Sequence, residues 1–313
     1  MAWSVTKREV LPLAAAVALG GVAGCSTDRD RPYLERRAAA ETRLARPGPA
    51  PPSREEPNRA WQLFPGDWEI PADRVREVQY RSGELDLQAW VFTPKAAETV
   101  AAPALVYLHP DVTGATPSWL RDTKPFIEAG FVIMLPNFRG EAGNPGHFEF
   151  AFGEVDDAAA AIRWLAAQRY VDAEHIYAFG WSYGGFISAL LSLWDDVPLR
   201  HSASCGGLLG QGILAQEAAL LPFDIADPTE ERLRLLVGNL RWMQREHYAY
   251  MGTADDKFFP AIVAAKREMK GRPSLLEIDM VPGAHFAAGT PGMLRYMDII
   301  RRERAAERQA DAR

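Results

Sequence analysis

Five unbroken apolar runs, with helix-like stretches between them, constrain this chain more than anything else in it. They are "PALVYL" (103–108), "FVIML" (131–135), "HIYAF" (175–179), "HYAYM" (247–251) and "LLEIDMV" (275–281). A strand wetted on one face alternates apolar and polar residues, whereas a strand covered on both faces reads as a continuous apolar run. Such strands need helices on both faces of a mostly parallel sheet, reached by right-handed crossovers. Between the second and third runs, Val155, Ala158, Ala159, Ile162 and Leu165 recur at three- and four-residue steps and predict one amphipathic helix. Upstream, "VREVQY" (75–80) and "LDLQAWVF" (85–92) predict an antiparallel start.

The third run ends in Phe-Gly-Trp-Ser-Tyr-Gly-Gly-Phe (179–186), which puts three glycines around Ser182. Gly180-Trp181-Ser182-Tyr183-Gly184 fits G-x-S-x-G, with a buried strand before it and the helix-like "FISALLSLW" after it. At such a strand-to-helix turn the serine projects from the sheet edge, and glycines let strand and helix approach each other. The free N–H groups at the helix start favour negative charge there. The junction is therefore expected to be a nucleophile elbow, with the N–H of Tyr183 as the first oxyanion donor.

A serine hydroxyl needs a base, and the base needs an orienting acid. Downstream of Ser182 the histidines are His201, His247 and His285. His285 follows the last apolar run on "VPGAHF", at a strand's C-terminal end, whereas His201 and His247 precede strands and fall at the opposite edge. Position selects His285 as the base. The acid should also follow a strand, and "YAYMGTADDKF" offers Asp255 and Asp256, one for the imidazole and the other to cap a helix starting near Phe259. The residues alone leave that choice open. Asp224 and Asp227 have no strand before them.

In order and spacing, "PNFRG" (136–140), "YVDAEHIYAFGWSYGGF" (170–186), "GTADD" (252–256) and "GAHF" (283–286) make the chain resemble the catalytic domain of the prolyl oligopeptidase family of serine peptidases. The resemblance covers about residues 102–300 and implies an α/β-hydrolase fold, with Asp255 as the triad acid and Asp256 as its neighbour. It favours peptide or amide substrates cleaved through an acyl-enzyme on Ser182. Two features depart from the family. Where its members often carry His-Gly-Gly, this chain has His109-Pro110-Asp111, and Pro110 has no N–H to donate. The second oxyanion donor is then expected at Asp111 or a neighbour, with His109 structural. No room for a β-propeller lies between the expected tether and "PALVYL". That brings in a free-standing ester hydrolase, related to carboxylesterases and dienelactone hydrolases, as the alternative. A catalytically silent binding module is the third reading.

The N-terminus reads separately. Lys7 and Arg8 precede the apolar "VLPLAAAVALGGVA", too short to span a bilayer but suited to a signal peptide over 1–24. Val22-Ala23-Gly24-Cys25 resembles the lipobox of bacterial lipoproteins, which implies lipidation at Cys25. The expected location is the cell envelope, membrane-attached only through that lipid, with a secreted or periplasmic protein as the alternative. Residues 25–60, including "RPGPAPPSREEP", are low in hydrophobicity and rich in Pro and mixed charge, so a disordered tether is expected. "WQLFPGDW" (61–68) then joins a catalytic domain over 61–313. Cys205 reads as a small buried hydrophobe. The segment between Cys205 and His247, including "LLGQGILAQEAALLPF", reads equally as a cap over the site or as plain core helix. A formal net charge of −6 gives no general attraction to nucleic acid, and no C-x-x-C pair or His-rich tract points to a metal. No cofactor is expected.

Overall fold

The computed structural model describes residues 32–44, 63–66, 68–208, 210, 214, 221–311 and 313. The expected signal segment, Cys25, Trp61 and most of "LLGQGILAQEAALLPF" lie outside the described residues.

Eight strands form one sheet: β1 (Val75–Ser82), β2 (Leu85–Phe92), β3 (Ala102–Leu108), β4 (Val132–Pro136), β5 (Val171–Trp181), β6 (His201–Cys205), β7 (His247–Gly252) and β8 (Leu276–Val281). Their spatial order is β1-β2-β4-β3-β5-β6-β7-β8. β1 pairs antiparallel with β2, and β2 with β4; every later pairing is parallel. The antiparallel start and the parallel body are both as the apolar patterning predicts. Along β3, Ala104, Val106 and Leu108 face one core cluster, while Leu105 and Tyr107 face another. That two-sided burial is why these runs do not alternate.

Helices among the described residues include α1 (Tyr33–Leu44), α2 (Lys124–Glu128), α3 (Gly153–Ala166), α4 (Tyr183–Leu191), α5 (Pro228–Arg234), α6 (Phe259–Met269) and α7 (Gly289–Asp311). α3 and α4 lie on one face, and α2 and α7 on the other. All five residues of the expected α3 stripe are fully buried. The chain leaves β3 toward β4 on one side and β5 toward β6 on the other. Strand order therefore reverses between β3 and β5, and the crevice at the carboxyl ends of such a pair is where open α/β sheets bind ligands. Ser182 follows β5 directly, and His109-Pro110-Asp111 follows β3 directly.

One expectation needs correction. The expectation of a disordered tether over 25–60 fails at 33–44, which form α1 packed against α5, while 25–31 and 45–60 lie outside the described residues. Tyr33, Arg36, Arg37 and Ala40, at helical spacing, are all nearly inaccessible. Two of these four are arginines, so mean hydropathy reads the stripe as solvent-exposed. Their guanidinium groups are buried because carbonyl and carboxylate partners await them: Arg37 donates to the Phe152 carbonyl and pairs with Asp156, and Arg36 donates to Asn239. Further along, Leu63 joins the body as "WQLFPGDW" suggests, its N–H donating to Asp122 at 2.9 Å.

Candidate active site

Three strand ends supply the chemistry. Ser182 sits between β5 and α4 at φ 50 and ψ −116, a conformation that residues with a Cβ rarely hold. The turn survives because its neighbours have no side chains. A Cβ on Gly180 would lie 2.0 Å from the Gly184 carbonyl oxygen, and one on Gly184 would lie 2.0 Å from that of Leu108. The second contact also seats the start of α4 against the end of β3 and the His109 carbonyl. Tyr183 is the first residue of α4, where N–H groups have no partner within the helix.

His285 follows β8, and its Nε2 lies 2.9 Å from Ser182 Oγ. Its Nδ1 lies 2.7 Å from Asp255 Oδ2, in the turn after β7. Asp255 is buried and Asp256 is exposed, so the geometry resolves the pair that the residues left open. Neither carboxylate caps α6, whose cap position is Phe258 and carries no side-chain hydrogen bond. His201 and His247 begin β6 and β7, away from Ser182, as their positions in the sequence require. His247 is locked between the hydroxyls of Ser202 and Ser204 at 2.7 and 2.8 Å. Burial pushes its pKa down to about 3, so it stays neutral.

In the turn after β3, the Asp111 carboxylate accepts the N–H groups of Val112 (2.6 Å) and Thr113 (3.1 Å). Pro110 has no N–H to offer, and the N–H groups of Val112 and Thr113 are taken by the Asp111 carboxylate. Beneath it, His109 Nε2 and Glu141 Oε2 are 3.2 Å apart and wholly buried, with the His109 ring stacked on Phe138. Burial is the largest single influence and favours neutral His109, but the Glu141 carboxylate and Asp111 together outweigh it and the net shift is upward. His109 therefore supports the turn from below, as expected.

Comparison with known proteins adds three findings. Residues 83–207 match the X-Pro dipeptidyl-peptidase family (S15 family), a span that includes Ser182 but ends before Asp255 and His285. Among curated proteins, the uncharacterized peptidase YtmA of Bacillus subtilis is 35% identical over 83 residues, covering 26% of this chain and 32% of that one. The probable dipeptidyl-peptidase 5 of Aspergillus terreus is 28% identical over 145 residues, covering 40% and 19%. The chain thus spans a third or less of the length of these curated relatives. Among solved structures, the Pyrococcus furiosus esterase Pf2001 superposes with a TM-score of 0.57 at 14% identity, covering 82% of this chain and 97% of that one. The fold is that of an α/β-hydrolase.

Within this hydrolase fold, no motif in the sequence announces what holds the imidazole. Phe258 stacks on His285 with ring centroids 5.1 Å apart and an interplanar angle of 10°. Gly206 closes the imidazole's approach: at φ 60, its absent Cβ would lie 2.6 Å from His285 Cε1. Trp181 Nε1 donates to the His285 carbonyl at 3.4 Å. The one available signal was position, since Gly206 ends β6 as Ser182 ends β5. Cys205 is fully buried, with its thiol pKa pushed well above the usual range by burial; it is packing, as expected.

Proposed function

We propose that this chain is a serine peptidase of the prolyl oligopeptidase type, cleaving short peptides or amides through an acyl-enzyme on Ser182. The observation that carries the reading is the continuous line from Ser182 Oγ to His285 Nε2 and from His285 Nδ1 to Asp255 Oδ2. His285 takes the Ser182 proton as Oγ attacks the carbonyl carbon, and Asp255 holds the imidazole in the tautomer that leaves Nε2 free to accept. The oxyanion is received by the N–H groups of Tyr183 and Asp111. The protonated imidazole then gives its proton to the leaving amine, and water repeats the sequence to release the acid. The S15-family match and the peptidase relatives support the peptide assignment.

A second reading, ester hydrolysis, has its own support: the P. furiosus esterase is covered over 97% of its length, far more than any peptidase relative above. A panel of aminoacyl- and dipeptidyl-nitroanilides set against short nitrophenyl esters separates the two. Nitroanilide turnover that disappears with Ser182→Ala supports the peptidase. Ester turnover without any amide turnover assigns the esterase.

The proposal extends to an exported protein held to a membrane by lipid on Cys25, on the strength of the basic, apolar and Val22-Ala23-Gly24-Cys25 segments. One acyl chain binds membranes only marginally, so stable attachment requires more than one. The wild type is expected to sediment with membranes through a salt wash and Cys25→Ser to lose its lipid. Unchanged sedimentation of an unlipidated Cys25→Ser protein would remove this reading.

A further inference from the structure

Next to Ser182 in the chain, Tyr183 belongs to a nearly buried cluster of aromatic rings whose outer support comes from α1. The Tyr183 ring has those of Phe148, Phe150 and Phe186 at centroid distances of 5.7, 5.8 and 6.2 Å. Phe150 reaches on to Phe223 at 6.2 Å. Only edges are open to solvent: Phe150 is 5% exposed, Phe186 8% and Phe223 8%. Phe148 and Phe150 come from the loop between β4 and α3, and that loop is strained. Phe150 and Ala151 hold φ of 53 and 56, left-handed values that a side chain disfavours. Such backbone persists only where its surroundings over-determine it.

Those surroundings are specific. The Ala151 N–H donates to the Tyr183 hydroxyl at 3.1 Å. The Glu154 carboxyl group accepts the N–H groups of Glu149 at 2.6 Å and Phe152 at 3.2 Å. From outside, the Arg37 guanidinium lies 3.7 Å over the Phe152 ring, donates to the Phe152 carbonyl at 2.7 Å and pairs with Asp156 on α3. Arg234 also lies over Phe152, at 5.3 Å, and donates to the Glu149 carbonyl. Helix α1 is fixed in turn by the Tyr33 hydroxyl, which donates to the Leu233 carbonyl at 2.7 Å.

As a mere fastener Arg37 is a costly choice. Its Nη1 is buried without a hydrogen-bond partner, and an apolar side chain would seat α1 without that penalty. What only a guanidinium supplies is a flat cation stacked on a ring with donors left for the carbonyl beside it.

We propose that Arg37 is a positioning residue of the acyl pocket, holding the Phe148–Phe150 wall against Tyr183 through Phe152, and that this wall receives a large apolar acyl group. The proposal rests on Ser182 being the acylated residue. Arg37 touches no reacting atom; it acts through the strained loop.

The test uses the full chain, with p-nitrophenyl acetate as the small acyl donor and an N-blocked phenylalanine p-nitrophenyl ester as the large one. Arg37→Met should lower kcat/KM for the phenylalanyl ester by roughly 10-fold, mainly through KM, while acetate stays within about 2-fold. Arg37→Lys keeps the charge beside Asp156 but not the stacked fork, so it should share the defect. Hydrogen exchange at residues 149–153 should quicken in both. If Arg37→Met does not fold, Phe152→Leu, which removes the ring and keeps the carbonyl, should shift the same ratio. An equal loss on both esters that follows the melting temperature would make Arg37 merely structural and overturn the proposal. So would faster exchange with an unchanged ester ratio. A wild type whose Ser182 takes no label from a fluorophosphonate sinks the hydrolase reading itself, a different outcome from labelled protein with unaltered selectivity.

Discussion

Ser182 holds its strained backbone because α4, β3 and β5 all meet at side-chain-free positions, and its hydroxyl is useful only in line with His285 and Asp255. Residues acting as one unit do not lose activity additively. Ser182→Ala and His285→Ala should each lower kcat by about 10⁴- to 10⁶-fold, and the double mutant should be scarcely worse. Single-turnover and steady-state rates on one chromogenic substrate measure this; multiplicative losses would mean that His285 is not the base. Asp255→Asn should cost roughly 10⁴-fold by favouring the wrong tautomer, while Asp256→Asn, altering an exposed carboxylate, should cost far less. Comparable losses at the two positions would remove Asp255 from the line. Ser182 and His285 were legible in the sequence because each follows an apolar run, where strand ends converge, whereas Asp255 was set apart from Asp256 only by the family resemblance. Phe258 and Gly206 were not legible, since a ring stacked on an imidazole and a hydrogen kept small beneath it leave no periodic trace.

At the level of elements, legibility followed the source of the stabilisation. The parallel strands and α3 are built on apolar burial, which writes a period into the sequence, and they fall where that period puts them. α1 is held instead by buried arginines finding carbonyl and carboxylate partners far along the chain, and no local pattern encodes a partner 115 residues away. The loop between β4 and α3 is similar. Arg139, within "PNFRG", forks onto Asp157 and Glu149 at 2.8 to 3.0 Å and ties the loop's start to α3. The junction of α4 with β3 gives an element-scale prediction. Gly184→Ala forces a Cβ into the Leu108 carbonyl, so the end of β3 or the start of α4 must move. The Tyr183 N–H and the 109–112 turn would then part. A loss of about 10²- to 10³-fold in kcat is expected, the usual effect of a misplaced oxyanion donor, together with a lower melting temperature. Wild-type kcat in Gly184→Ala would show that the turn after β3 takes no part in holding the oxyanion.

Over the whole molecule, acidity enters through buried groups outside the line of Ser182, His285 and Asp255. Asp122 accepts the Leu63 N–H at 2.9 Å and the Tyr107 hydroxyl at 2.8 Å, which ties the segment preceding the sheet to β3. Burial pushes its carboxyl up to about 7, only partly opposed by those two hydrogen bonds and by Arg121. Between about pH 4 and pH 7 the unfolded chain has released this proton while the folded one keeps it. Stability from this site therefore falls as pH rises, by roughly 1 kcal/mol per unit across that window, and levels off above it. Glu154, pushed up to about 8 by burial, slopes the same way. His247, held down to about 3, slopes the opposite way: its neutral form is costly to keep once the unfolded imidazole protonates below about pH 6.5. The wild-type curve alone thus mixes opposing terms, and a difference curve separates them. Asn at position 122 can still accept the Leu63 N–H through its oxygen and donate to the Tyr107 hydroxyl through its amide, without titrating. Urea unfolding of wild type and Asp122→Asn at half-unit steps from pH 4 to 8.5 should show the variant gaining steadily on the wild type up to about pH 7, then running parallel to it. A difference that stays constant across that range would mean Asp122 titrates as an ordinary carboxylate, with the contact at Leu63 open to water.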